Sequence, residues 1–155
     1  METLEQFGQS VCDAFVTGRL EAHHQRYELP VIMIRSKDTL RFDKISQLQR
    51  YSNTVRELYL QKGLASMTFS VVDQIRFDPG VAIASFAWDY LDAEDQVINR
   101  LFTTYVLRPT QTQFKIASHI SHNEYVDRPA IEASIRQDAT EADGPHPHPL
   151  GPYGG

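Results

Sequence analysis

At residue 66 the hydrophobic period of this chain changes from 3.6 to 2, and that change limits the possible folds more than any other feature. Before it, Leu4, Phe7, Val11 and Phe15 recur at spacings of 3 and 4, one apolar stripe of an amphipathic helix. Thr17-Gly18 ends that helix. Leu20, His24 and Tyr27 mark the face of a short second helix, and Pro30 stops it because the residue before a proline is pushed out of the α region. Residues 31–34 and 40–42 predict two small strands around a polar turn at 35–38. Asp43 is the expected N-cap of a third helix, in which Ile45, Leu48, Tyr51, Val55, Leu58 and Tyr59 run to about Lys62 before Gly63 ends it.

After residue 66 the alternation predicts four strands, at 67–77, 81–91, 96–108 and 113–122. The connections at 78–80, 92–95 and 109–112 are short, so these strands form an antiparallel meander. A helical half followed by an antiparallel half is an α+β arrangement, not a βαβ one. The chain carries no GxGxxG and no Walker loop, and no cofactor is expected. The three helices are the only cover available for the sheet's apolar face. A strongly curved sheet wrapped around them encloses a cone, and such concavities are natural ligand pockets.

Composition narrows the class further. The length of 155 residues suits one domain with a real core. No apolar run approaches the roughly 18 residues of a membrane helix. The first residues are acidic, unlike a secretory signal, which leads to the expectation of a cytoplasmic protein. The net charge of −5 disfavours binding to nucleic acid or an anionic membrane. Cys12 stands alone, so neither a disulfide nor a cysteine zinc cluster is expected. Residues 1–125 read as the domain and 126–143 as a short C-terminal helix. Residues 144–155, with four Gly and four Pro, read as a disordered tail.

Gly18-Arg19-Leu20-Glu21-Ala22, the strand Arg100-Leu101-Phe102-Thr103-Thr104-Tyr105-Val106-Leu107-Arg108, and Phe114-Lys115-Ile116 leading to His119-Ile120-Ser121 carry a resemblance. Together with the element order, they resemble the nuclear transport factor 2-like superfamily in its SnoaL-like branch, over residues 1–125. The resemblance implies a cone-shaped sheet around three N-terminal helices, and sheets that often dimerise back to back. That superfamily includes ketosteroid isomerase, SnoaL-type cyclases, limonene epoxide hydrolase and scytalone dehydratase, together with transport and assembly modules, so the fold does not supply a function.

The isomerase-like site would need a carboxylate on the first strand and a Tyr in the first helix. Residues 30–34 hold no carboxylate, Glu28 being nearest, and the first helix holds no Tyr. Asp89 and Arg100 are mid-strand charges that could pair across neighbouring strands, inside the cone or on its surface. Alternation puts Phe86, Trp88 and Tyr90 on one face of their strand and Asp89 on the other. His119 and His122 have opposite parity on the last strand. If Phe114, Ile116, Ile120 and His122 share the inner face, His122 faces the cavity, unless a bulge flips the register to His119. His146 and His148 lie in the tail, and no metal-binding His spacing falls within the folded region. The pocket lining is therefore expected to draw on Tyr27, Trp88, Arg100, Tyr105 and His122. Its ligand would be a small apolar or aromatic compound, an apolar carboxylate or a polyketide-like ring.

Three readings stay open. One is a small-ligand-binding protein. The second is a homodimeric interaction module that pairs through the convex sheet face, because Val81, Ile83 and Ala87 oppose Phe86, Trp88 and Tyr90. The third is an acid–base isomerase, cyclase or hydrolase, with His122 or Asp89 as base and Tyr105 or Arg100 holding an oxyanion.

Overall fold

The computed structural model describes residues 1–77 and 79–122. The expected C-terminal helix at 126–143 and the tail at 144–155 lie outside the described residues. In chain order the elements are α1 (Leu4–Thr17), α2 (Glu21–His24), β1 (Tyr27–Ile34), β2 (Thr39–Phe42), α3 (Ile45–Gln61), β3 (Ser66–Phe77), β4 (Val81–Leu91), β5 (Val97–Pro109) and β6 (Phe114–His122). The fold is α+β, with three helices and a six-stranded, curved, unclosed sheet. No helix among the described residues is long and apolar enough to cross a membrane.

Local chemistry fixes α1 at both ends. Thr3 Oγ1 accepts from the Gln6 backbone N–H at 3.1 Å, and Gln6 Oε1 accepts from the Thr3 N–H at 2.9 Å, a reciprocal cap. Gly18 closes the helix at φ 80°, where a side chain would be strained. The Arg56 guanidinium donates to the carbonyls of Phe15 and Val16, at 2.7 and 3.0 Å. It thereby satisfies two acceptors that a helix C-terminus leaves open.

Two expectations need correction here. Tyr27–Pro30 is not the end of a helix but the first half of β1. Strand pairing overrides the local helical spacing: Ile116 N–H bonds the Arg26 carbonyl at 2.8 Å, and Tyr27 lies opposite Ile116. Pro30, which has no N–H to give a ladder, sits where the β1–β6 register is interrupted, between Tyr27 and Ile32. Glu28 accordingly lies on a strand, where its carboxylate accepts from Arg108 Nε at 3.1 Å. The N-cap of α3 is Lys44, not Asp43. The Gln47 side-chain oxygen accepts the backbone N–H groups of both residues, while Asp43 accepts from Arg41 at 2.8 Å.

The sheet order is β2-β1-β6-β5-β4-β3. Strands β3 to β6 form the antiparallel meander, and β1 joins β6 in parallel, so the sheet is mixed. Register breaks fall between Val71 and Asp73, between Tyr90 and Leu91, and between Val106 and Leu107. Bulges of this kind bend a sheet, and here they turn its inner face toward α1. Phe7 of α1 is fully buried there, edge-on to Tyr105 and Phe114 at 5.1 and 6.2 Å between ring centroids. Phe86 and Trp88 stack at 5.1 Å, and Tyr59 of α3 stacks on Tyr90 at 4.2 Å. Each such buried ring stabilises the fold by about 2–3 kcal/mol of transfer free energy.

The chain's start is tied to the start of β6. Glu2 and Arg26 pair at 2.6 Å, and Arg26 also donates to the Phe114 carbonyl at 3.1 Å. Glu2 Oε1 accepts the Phe114 N–H at 3.0 Å.

Candidate functional site

Between the concave face and the helices lies a cavity of about 110 Å³. Val11 and Phe15 of α1, Leu20 and His23 around α2, Tyr51, Ser52 and Val55 of α3, and inward residues of five strands line it. The lining is mostly apolar, and Lys, Arg, Asp and Glu are absent from it.

The inward parity of each strand follows from register. On β4, Phe86, Trp88 and Tyr90 point inward, as alternation predicts. Phe86 and Trp88 pair with Thr103 and Leu101 of β5 and Ala84 pairs with Tyr105, so Leu101, Thr103 and Tyr105 face in with them. Val106 pairs with Ser118 but Leu107 pairs with Ile116, so Ala117 is an extra residue on β6. Phe114 and Ile116 point inward before that bulge, and His119 and Ser121 point inward after it.

Of the residues expected to line the pocket, Tyr27, Trp88 and Tyr105 do so. His122 and Arg100 do not. The bulge at Ala117 turns His122 outward, where its Nε2 lies 3.2 Å from Thr104 Oγ1. Arg100 faces outward opposite Asp89 and binds it at 2.6 and 3.0 Å. The Arg100 side chain is 59% exposed, so this is a surface ion pair. The hydrogen bond from Arg100 holds the Asp89 carboxyl below its usual range, which makes it a weak base. Tyr27, Trp88 and Tyr105 are thus brought together, and the two candidate bases, His122 and Asp89, are left outside with Arg100.

Two polar groups inside were not expected from the sequence, Thr103 and His23, and a third, His119, was expected only if a bulge flipped the register. His119 is 7% exposed, and its Nδ1 lies 3.2 Å from Tyr27 Oη. Its ring meets Tyr105 edge-on at 5.6 Å. Thr103 Oγ1 accepts the Trp88 indole N–H at 3.1 Å. His23 packs edge-on against Tyr27 at 5.5 Å, and its Nδ1 is buried without a partner among the described residues. The His119 placement was available only through the bulge. Arg100 could have been placed from the sequence: Asp89 opposes Trp88 in parity, so a cross-strand partner of Asp89 leaves the cavity with it.

Burial keeps all of these groups uncharged near neutral pH. Desolvation lowers His119 to about 4, and lowers His23 to about 3 with help from the charges of His24, Arg26 and His119. Burial raises the Tyr27 and Tyr105 hydroxyls above their ordinary range. Cys12, on the buried side of α1, is pushed up to about 12 by burial, with the Asp13 charge adding to it, so it is a thiol and not a nucleophile. Among the described residues no group of three or more His, Cys, Asp or Glu could hold a metal ion.

The family model described as NTF2-like protein (DUF6841) matches residues 2–124. The chain belongs to this NTF2-like family. The superfamily expected from the sequence is therefore the right one; the match does not specify the SnoaL-like branch. Solved structures agree in fold. An NTF-2 like protein of unknown function from Shewanella oneidensis is 16% identical, with a TM-score of 0.54 over 72% of this chain and 88% of that one. A protein of unknown function from Mycobacterium tuberculosis is 14% identical, with a TM-score of 0.56 over 81% and 82%. A domain of unknown function with a cystatin-like fold from Nostoc punctiforme is 9% identical, with a TM-score of 0.56 over 85% and 80%. No curated protein matches. At these identities the likeness carries the NTF2-like fold alone.

Proposed function

We propose that this NTF2-like protein binds a small, neutral, largely apolar molecule in the cavity between its helices and its concave sheet face. One observation carries the reading: an aromatic-lined space in which burial holds His23, His119, Tyr27 and Tyr105 uncharged. The volume of about 110 Å³ is somewhat below the roughly 150 Å³ of an apolar cavity that takes up benzene, so the ligand is the size of one small ring. A carboxylate ligand, one of the chemistries expected from the sequence, loses support because Arg100 faces solvent and an unpaired charge in such a space is costly. The test is a titration of the full chain with benzene and with benzoate, following the indole N–H resonance of Trp88, the single tryptophan. Benzene should shift it and benzoate should not. A protein that binds benzoate and ignores benzene would overturn the reading.

A second reading concerns the opposite face and is compatible with the first. The outer surface of the sheet carries Ile32, Ile34, Ile75 and Phe77, all between 38% and 53% exposed. Val81 and Ile83 lie half-buried beside Phe77 and Ile75. Apolar side chains exposed on the outer face of a sheet favour pairing with a second copy. Light scattering should then give a dimer, and Ile75→Lys together with Phe77→Lys should give a folded monomer. A monomeric wild-type protein at tens of micromolar would remove this reading.

A further inference from the structure

We infer that the cavity selects a hydrogen-bond acceptor, a ring-sized molecule bearing a carbonyl oxygen, over a hydrocarbon or a hydrogen-bond donor of the same shape. The inference rests on the ligand-binding reading above and follows from where the cavity's polar hydrogens go.

Tyr105 is 4% exposed and lines the cavity. Its interactions among the described residues are ring contacts with Phe7, Phe86 and His119, so its O–H proton has no acceptor there. Thr103, 5% exposed, uses its oxygen to accept from Trp88, and its own proton is left over. The Tyr27–His119 pair gives the same result in either arrangement. If Tyr27 donates to Nδ1, the proton left over is on Nε2; if Nδ1 carries the proton and donates, the Tyr27 hydroxyl proton is left over. Three hydrogens therefore lack acceptors; the lining offers no carboxylate to take them, only single ring-nitrogen lone pairs, at His23 Nδ1 and, in the second arrangement, at His119 Nε2. Register brings them close together: Thr103 and Tyr105 are successive inward residues of β5, and Tyr105 is opposite His119. A buried donor without an acceptor is costly. A carbonyl oxygen brings two lone pairs and no hydrogen, so it relieves the imbalance. An alcohol oxygen accepts as well but brings a hydrogen of its own, and an amine has a single lone pair and brings one or two hydrogens, so both relieve it less.

The probes are cyclopentanone and methylenecyclopentane, which share a shape and differ in the exocyclic oxygen. Each is titrated into full-length protein, with the Trp88 indole N–H as reporter. Water solvates the ketone far better, so a purely apolar cavity would take the hydrocarbon more tightly. The expected result is that cyclopentanone binds at least as tightly. Tyr105→Phe should then weaken cyclopentanone by about 3- to 10-fold, the worth of one neutral hydrogen bond, and leave methylenecyclopentane unchanged. That variant removes a hydroxyl with no protein partner and keeps the ring contacts, so the fold is expected to survive, which a thermal melt checks. Tighter binding of the hydrocarbon, or an unaltered ketone affinity in Tyr105→Phe, would overturn the inference and leave the ligand-binding reading standing. If neither probe nor benzene moves the Trp88 resonance, the ligand-binding reading falls, and the inference falls with it.

Discussion

Tyr27 Oη lies 3.2 Å from His119 Nδ1 across the parallel seam between the first strand and the last. The contact exists because Ala117 bulges out of β6 and brings His119 round to the inner face. It places a neutral imidazole and a neutral phenol in an enclosed apolar space, and the stability of the whole chain inherits a pH dependence from that arrangement.

Acid should destabilise the protein well above the usual carboxylate range. In the unfolded chain an imidazole titrates near pH 6.5; in the folded chain burial lowers His23 to about 3 and His24 and His119 to about 4. Between those values the unfolded chain holds more protons, so stability rises with pH. The contribution is complete above about pH 6.5 and is lost as pH falls toward 4. Glu2 extends the loss at lower pH: burial would raise its carboxyl, but the hydrogen bonds from Arg26 and from the Phe114 backbone outweigh that and hold it low. Melting temperature should therefore drop steadily from pH 7 to 4.5. In His24→Leu the drop should be shallower, because the buried His24 ring, with neither nitrogen partnered among the described residues, is gone. A flat profile in the wild type would show that these rings are hydrated.

Gly8 should be irreplaceable by alanine. It sits in the middle of α1, where alanine is favoured by about 1 kcal/mol in an open helix. A Cβ there would overlap the Phe69 ring of β3, and overpacking of this kind costs about 1–3 kcal/mol. Urea unfolding of Gly8→Ala should show a net loss. Phe69→Leu, by making room, should restore part of that loss in the double variant. A stabilised Gly8→Ala would mean that α1 rides further from the sheet.

What the sequence could and could not convey divides along a physical line. Strand β4 was legible to the residue, Val81–Leu91, because strict alternation and a Pro-Gly turn are local signals. Helices α1 and α3 were legible from their stripes and from Gly18 and Gly63. The first half of β1 was hidden because Leu20, His24 and Tyr27 have helical spacing, and the strand that captures Tyr27 lies about 90 positions away, at Ile116. The inward His stayed undecided between His119 and His122 because no local signal marks the bulge. One inserted residue, Ala117, inverts everything after it, and neither Ala117 nor Ser118 differs in type from ordinary strand residues.

The tie between Glu2 and Arg26 should matter more than its terminal position suggests. The two side chains are only 10% and 11% exposed, and they share the Phe114 backbone between them. Removing one partner of such a pair leaves the other charge buried, at a cost of about 3 kcal/mol or more. Glu2→Gln should therefore lower the denaturation midpoint clearly, whereas Asp89→Asn, which breaks the exposed pair with Arg100, should change stability by less than about 1 kcal/mol. Equal effects of the two substitutions would contradict the burial difference.

His23 should control access to Trp88. The His23 ring lines the inner cavity on one side. On the other it lines a cleft of about 260 Å³ between α1 and α2, bounded by Asp13, Arg19 and Arg26. At that point a single imidazole separates the two spaces. Trp88, 2% exposed and the only tryptophan, reports on any opening. Acrylamide is small, neutral and soluble, and it quenches indole fluorescence on contact. His23→Ala should join the cleft to the cavity and raise the quenching constant of Trp88 several-fold, while His23→Phe, which refills the gap, should leave it at the wild-type value. Matched melting temperatures in the two variants would separate access from general loosening. If the alanine and phenylalanine variants quench alike, His23 does not gate the cavity.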